Sequence, residues 1–138
     1  MLIENEHWGP LTKTVLDACF EVHRLLGPGL LESVYDDALA IEFGLRGIEF
    51  KRQPPIPVLY KGSLAGDPFK PDFWISEQVV LEIKAVETLH PIHEAQLLTY
   101  LRLTESPVGL LVNFHTPLLK QGIHRFLNPQ KTKPLSSG

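Results

Sequence analysis

The chain has a single cysteine, Cys19, among its 138 residues. That excludes an internal disulfide framework and a cysteine-based zinc site. Cys19 falls at helical spacing among Val15, Leu16, Val22 and Leu26, so a buried thiol in a reducing compartment is expected ahead of a nucleophile. Excess positive charge is also lacking, since the formal net charge is -3. Nothing global therefore draws the protein to nucleic acid or to an anionic membrane, and a polyanionic partner has to be met by a local patch. No apolar run approaches membrane-spanning length and no basic-then-apolar leader opens the chain, which makes the cytoplasm the expected location. No internal repeat is visible. The histidines His23, His90, His93, His115 and His124 show no metal-ligand spacing.

What is present suits one soluble globular domain with a real core. Hydrophobic residues make up 43% and charged residues 21%, and the length fits a single unit. That domain is expected over residues 1–127. Residues 128–138, rich in Pro, Lys and Ser, are expected to fray.

The apolar residues Val15, Leu16, Cys19, Val22, Leu25 and Leu26 follow a 3.6 period. They predict a first helix, capped by Thr12 or Thr14 and stopped by Gly27-Pro28-Gly29. A second helix is expected from about Leu30 to Arg46, ended by Gly47. Phe50 to Tyr60 reads as extended, but Pro54, Pro55 and Pro57 cannot donate ladder hydrogen bonds, so it is an edge or broken strand. Lys61-Gly62 turns the chain. Pro71 to Ile75 and Val79 to Ala85 are expected as two strands around the polar turn Ser76-Glu77-Gln78. A third helix follows Pro91 to about Thr104, then an interior strand over Val108 to Phe114 and a last strand over Gln121 to Leu127. A helix joining two strands implies a crossover and some parallel pairing. The expected product is a mixed sheet flanked by helices.

The hairpin raises a chemical question. Side chains alternate across a strand, so Asp72 and Trp74 share one face, while Val80, Glu82 and Lys84 share a face of the next strand. A turn centred on Glu77 pairs Ile75 with Val79, Trp74 with Val80 and Asp72 with Glu82. Two carboxylates opposed in this way cost roughly 0.2–1 kcal/mol even when exposed, and more when buried. Two arrangements could offset that repulsion. One is a salt ladder on a solvated face, with Lys84 diagonal to Asp72 and Lys70 diagonal to Glu82. The other is a divalent cation, because adjacent carboxylates beside a backbone carbonyl make a hard oxygen site suited to Mg²⁺ or Mn²⁺.

Two helices add polar residues. Glu32, Tyr35, Leu39 and Phe43 lie at i, i+3, i+7 and i+11, so Glu32 begins a largely apolar stripe that should face the sheet. Alone, it is also what the positive end of a helix dipole favours. In the third helix Gln96 and Tyr100 are i, i+4 neighbours, with His93 one turn earlier. Trp74 shares the acidic face, where core packing is its expected task.

Pro71-Asp72 followed by Glu82-Ile83-Lys84, with nine residues between the acids, resembles the PD-(D/E)XK signature of restriction-endonuclease-like nucleases. Gln96-Leu97-Leu98-Thr99-Tyr100 resembles the QxxxY helix motif of that superfamily's exonuclease branch. Gly29-Leu30-Leu31-Glu32-Ser33-Val34-Tyr35 resembles the GxxExxY motif of a family of small bacterial and archaeal proteins assigned to the same superfamily. Lys70-Pro71 stands where Arg-Ala or similar is expected in many GxxExxY relatives. The resemblance covers about Leu11 to Phe126 and implies a central four-stranded mixed sheet flanked by helices. It implies that Asp72 and Glu82, with the Ile83 carbonyl, hold Mg²⁺ or Mn²⁺, and that Glu32 is a further acidic ligand or orients a bound water. It gives Lys84 the attacking water and the phosphate charge, and Gln96 and Tyr100 support of the site or of the substrate backbone. The reaction implied is metal-assisted phosphodiester hydrolysis.

The implied partner is nucleic acid, DNA ahead of RNA, and a homodimer could cut both strands of a duplex. Arg46, Lys51, Arg52, Lys61 and Lys70 cluster ahead of the site and supply local positive charge. The alternatives are a catalytically silent nuclease-fold module that binds nucleic acid or a protein, and an unrelated α/β binding domain carrying only the salt ladder.

Overall fold

A computed structural model of the chain describes residues 9–128. The first helix, α1, spans Gly9–Leu26 and begins ahead of both threonines expected to cap it. Thr12 is buried inside the helix, and the Thr14 hydroxyl donates back to the Pro10 carbonyl at 2.9 Å. The apolar face predicted from the period holds for Val15, Cys19 and Val22, but Leu25 and Leu26 are exposed at its end.

The second helix, α2, spans Glu32–Leu45. Tyr35, Leu39 and Phe43 are fully buried, as their spacing requires. Gly47 ends it with φ of 70°, a left-handed conformation that glycine adopts at no steric cost. The Gly47 and Ile48 N–H groups then donate back to the Gly44 and Phe43 carbonyls.

Seven strands follow: β1 (Phe50–Arg52), β2 (Leu59–Tyr60), β3 (Ser63–Leu64), β4 (Phe73–Ile75), β5 (Val79–Lys84), β6 (Val108–Asn113) and β7 (Ile123–Leu127). The third helix, α3, spans Pro91–Thr104 between β5 and β6. Five strands form one mixed sheet in the order β1-β4-β5-β6-β7, with only β5 and β6 parallel. The parallel pair is the one the α3 crossover joins, as expected. The sheet has one strand beyond the expected four, because Phe50–Arg52 pairs along the edge of β4 before Pro54 and Pro55 end the ladder. The sequence reading missed β3, which pairs with β2 as a separate hairpin turned by Lys61-Gly62.

The sheet buries both faces. Val79, Leu81 and Ile83 of β5 face α1 and α2, packing with Tyr35, Leu39 and Phe43. Val80 of β5 and Leu111 of β6 face α3, packing with Leu97, Tyr100 and Leu101. Every residue of β6 is buried, which explains its unbroken apolar run. Helix α3 sits close over this strand because Gly109 has no side chain; a Cβ there would lie 3.1 Å from the methyls of Leu97 and Leu101. Asn128, placed by the sequence reading in the frayed tail, is buried, and its side chain donates to the Leu101 and Ser106 carbonyls at 3.2 and 3.0 Å. The rest of the expected tail lies outside the described residues. Cys19 is fully buried and its thiol is pushed up to about 12 by desolvation, so it is a packing residue. Among the described residues no helix is long and apolar enough to cross a membrane.

Candidate active site

The β4–β5 hairpin has the register that its turn dictates. Ile75 pairs with Val79, Trp74 with Val80 and Phe73 with Leu81. One step further, where β4 has bent out of the ladder, Asp72 lies across from Glu82. Each acid takes a backbone donor from the other strand. The Asp72 N–H donates to Glu82 Oε2 at 2.6 Å, and the Ile83 N–H donates to Asp72 Oδ2 at 2.8 Å. In an extended strand a residue's N–H and C=O point to the same side. The Ile83 carbonyl is therefore directed to the same edge as Asp72.

The solvated salt ladder does not form. Glu82 is 6% exposed and Asp72 half-buried. Among the described residues, no ion pair within 4.0 Å engages Asp72, Glu82, Lys70 or Lys84. The acids therefore lack a salt-bridge partner, and burial favours their protonated forms. Burial pushes the Glu82 carboxyl up to about 8, helped by Asp72 opposite it. Burial also pushes Asp72 up to about 6, with Glu32 and Asp36 adding to the rise. Backbone donors and Lys84 pull both values down without cancelling the burial.

Three further elements bring groups to this edge. Helix α2 starts with Glu32, exposed in its first turn, and its charge reaches Asp72, Glu82 and His93. Tyr35 fixes that helix start: its hydroxyl donates to the Gly27 carbonyl at 2.5 Å and accepts from the Leu30 N–H at 3.1 Å. The ring of Tyr35 stacks on Phe114 with centroids 4.7 Å apart. Tyr35 therefore closes the loop that aims Glu32, a task that spacing did not reveal.

Helix α3 brings Tyr100, which stacks on Phe69 at 4.4 Å. Its phenol is pushed up by burial and then by the charges of Glu82 and Asp72. The His93 Nδ1 accepts from the His90 N–H at 3.1 Å, and burial followed by the Lys84 charge lowers its pKa. Lys84 itself, the last residue of β5, is half-buried. Asn113 pins the chain just beyond it, bonding Val86 through both its amide groups at 3.1 and 2.8 Å. Gln96 sits one turn before Tyr100, exposed, and no hydrogen bond or ion pair joins it to the acids. Trp74 packs under α3 and donates to Ser106 Oγ at 2.9 Å, the structural task expected of it.

A cleft of about 380 Å³ opens beside Asp72, lined also by Glu32, Ser33, Asp36, Asp37, Arg52 and Gln53. Sequence reasoning missed its floor. Arg52 reaches from β1 to α2, where it contacts Asp36 at 2.5 Å through Nη2 and also binds Asp37. The signal available was Asp36 at i+4 from Glu32, on the helix face already in question. Sequence counts Arg52 among the cations that supply local positive charge ahead of the site. In the structure Arg46 pairs with Glu42, Lys51 with Glu77 and Arg52 with the two aspartates. Lys61 stands over the Tyr60 ring, and Lys70 makes no ion pair among the described residues.

Among the described residues no three His, Cys, Asp or Glu side chains form a closed metal cage. The donors at the hairpin nonetheless suit Mg²⁺ or Mn²⁺. Mg²⁺ takes one or two carboxylates and completes its shell with waters and substrate oxygens. Asp72, Glu82 and the Ile83 carbonyl are hard oxygen donors at one edge, and among the described residues no ion pair within 4.0 Å engages either acid.

A family model described as the PD-(D/E)XK nuclease superfamily matches residues 10–126. No curated protein and no solved structure matches the chain.

Proposed function

This chain belongs to the PD-(D/E)XK nuclease superfamily, and from that premise we propose that the β4–β5 edge is a metal-dependent phosphodiester-hydrolysing site for nucleic acid, DNA ahead of RNA. Within the superfamily we place it in the GxxExxY branch, on Gly29, Glu32 and Tyr35. The observation that carries the reading is the Asp72–Glu82 pair: two opposed carboxyls, raised by burial and mutual repulsion, with no ion pair on either. A structural pair would be neutralised or solvated. This pair is held ready for a dication.

Asp72, Glu82 and the Ile83 carbonyl would hold Mg²⁺ or Mn²⁺, with Glu32 as an outer acid that orients water across the cleft. Bound there, the ion supplies Lewis-acid charge stabilisation and makes water a better nucleophile near neutral pH. The remaining work belongs to the chain. Lys84, with no ion pair of its own, is free to place its ammonium against the scissile phosphate and the attacking water. The Tyr100 hydroxyl, close to both acids, supports them or the substrate backbone, and Gln96 contacts the substrate from the exposed side of α3. His93 lies close enough to Lys84 to feel its charge.

Calorimetric titration with Mn²⁺ and a cleavage screen over single- and double-stranded DNA and RNA test the reading. Mn²⁺ should bind and raise Tm, and Asp72→Asn should abolish both effects. A wild type that shows neither metal-linked stabilisation nor cleavage would sink it. One observation favours the silent binding module instead: Arg46, Lys51 and Arg52 are all taken up in ion pairs, which thins the local positive charge. With fewer cations left for a phosphate backbone, that module would bind a protein partner ahead of nucleic acid, without cutting.

A further inference from the structure

Five residues other than glycine have a left-handed backbone among the described residues. Lys61, Ser76 and Glu77 make the tight turns of the two hairpins, and Glu105 caps α3. The fifth is Gln53, with φ of 51°. It stands just past β1, where the chain leaves the sheet, immediately before Pro54. A residue preceding proline is pushed toward extended conformations, so its own side chain and its neighbour both disfavour the geometry it holds. Glycine would make the same bend at no steric cost; the chain has an amide there instead. A backbone outlier of this kind points to function. Side chains alternate along a strand, so an extended Gln53 would join Lys51, which stands over Trp74 on the α3 face. The left-handed step instead leaves Gln53 lining the same cleft as Arg52 and Asp72.

The Gln53 N–H donates to the Asp72 carbonyl at 3.0 Å. One backbone bond therefore fixes the glutamine against the acidic pair. Its side chain is exposed, with no hydrogen bond or ion pair among the described residues. The rest of the lining is poorly suited to a phosphate. Glu32, Asp36, Asp37 and Asp72 are acids, and Arg52 is already bound to Asp36 and Asp37. Ser33 and Gln53 are the uncharged donors of the cleft, and of these two Gln53 is the one bonded to the Asp72 backbone. An amide offers two N–H donors without a charge for the neighbouring acids to capture, as they capture Arg52. We propose that Gln53 is a substrate-contacting residue, whose side-chain amide donates to the phosphodiester backbone of a strand lying in the cleft beside Asp72. The ligand class follows from the reading of the Asp72–Glu82 edge as a phosphodiester site, on which this contact rests.

Binding of fluorescein-labelled DNA and RNA, single-stranded and duplex, to the full chain tests the contact, followed by anisotropy in metal-free buffer so that nothing is cut. Gln53→Gly keeps the bend, relieves the left-handed backbone and removes only the amide. It should melt at the wild-type temperature or above it, yet bind the strand about 10-fold more weakly or worse. The salt dependence of binding should match the wild type, because no cation has been lost. Gln53→Glu, of the same shape but negatively charged, should bind more weakly still. In Mn²⁺ the Gln53→Gly loss should appear in KM for cleavage with kcat unchanged, and Mn²⁺ affinity should equal that of the wild type. Equal strand affinity of wild type and Gln53→Gly overturns the proposal. So does a wild type that binds none of the strands, or a Gln53→Gly variant that loses Tm along with affinity, which would make the residue structural. A wild type that binds strands through Gln53 but shows no Mn²⁺-linked stabilisation and no cleavage supports the contact and removes only the metal-dependent reading.

Discussion

Two pairs of acids lie close together, with Asp36, Asp37 and Asp72 lining one cleft and Glu82 beside Asp72, and the protein treats the pairs in opposite ways. Asp36 and Asp37 on α2 are answered by Arg52, which reaches across from β1 to bind both. Asp72 and Glu82 on the hairpin receive only backbone N–H donors, and both carboxyls are pushed well above their usual range. The chain therefore has the means to neutralise neighbouring acids a few residues from the hairpin and does not use it there. Charge matched internally is structure. Charge left unmatched in a buried setting costs stability, and its presence is intelligible when something outside the chain completes it.

The strongest way to break this contrast is to remove the unmatched charge. Asp72→Asn and Glu82→Gln should each lower cleavage by about 10³-fold or more and abolish metal-linked stabilisation. In metal-free buffer at pH 8 the same variants should melt higher than the wild type, by an amount on the order of 1–2 kcal/mol. A loss of stability instead would place these acids with the matched pair. Lys84→Gln should separate the roles further. It has no ion pair to lose, so stability should hold within about 0.5 kcal/mol, while cleavage falls about 10²-fold. Equal loss of both would make the lysine structural.

The pH dependence follows from the raised values. Asp72 and Glu82 bind protons more tightly folded than unfolded, where their values are 3.8 and 4.5. The pair's contribution to metal-free stability should therefore be fully present at or below about pH 4 and be lost as pH rises through about 6 to about 8. Saturating Mg²⁺ should flatten that fall, as urea melts across the range would show. Arg52→Gln converts the matched pair into an unmatched one. It should cost about 1 kcal/mol, raise Asp72 further through freed Asp36, and move the acid limb of the cleavage profile to higher pH. Tyr35→Phe should have the smallest effect. It loses the links to Gly27 and Leu30, costs about 1 kcal/mol, and lowers cleavage severalfold by loosening the start of α2 beneath Glu32.

The sequence reading went furthest where one short-range rule acted alone. The turn at Glu77 and the period-2 alternation were enough to oppose Asp72 and Glu82, and the crossover helix implied the one parallel strand pair. It failed where a long-range partner decided the outcome. Nothing in the order of residues shows that Arg52 would be taken by Asp36 rather than left for a phosphate, because that pair spans 16 positions. Phe50 to Tyr60, read as an edge or broken strand, is both: Phe50–Arg52 joins the sheet edge on β4, and the chain leaves that ladder ahead of Pro54 and Pro55. Thr14 resembled a cap until α1 began at Gly9 and turned its hydroxyl back onto Pro10. Gln96 stays a matter of motif alone, exposed and without a hydrogen bond or ion pair among the described residues.

The hydrogen bonds from the Asp72 and Ile83 amides onto the two carboxylates have a practical use. Each N–H sits in the field of one acid, so its proton and nitrogen resonances should shift as that acid ionises or takes up a ligand. Two peaks in an ordinary ¹⁵N correlation spectrum would then report separately on the two halves of the pair, without a probe being attached to the protein.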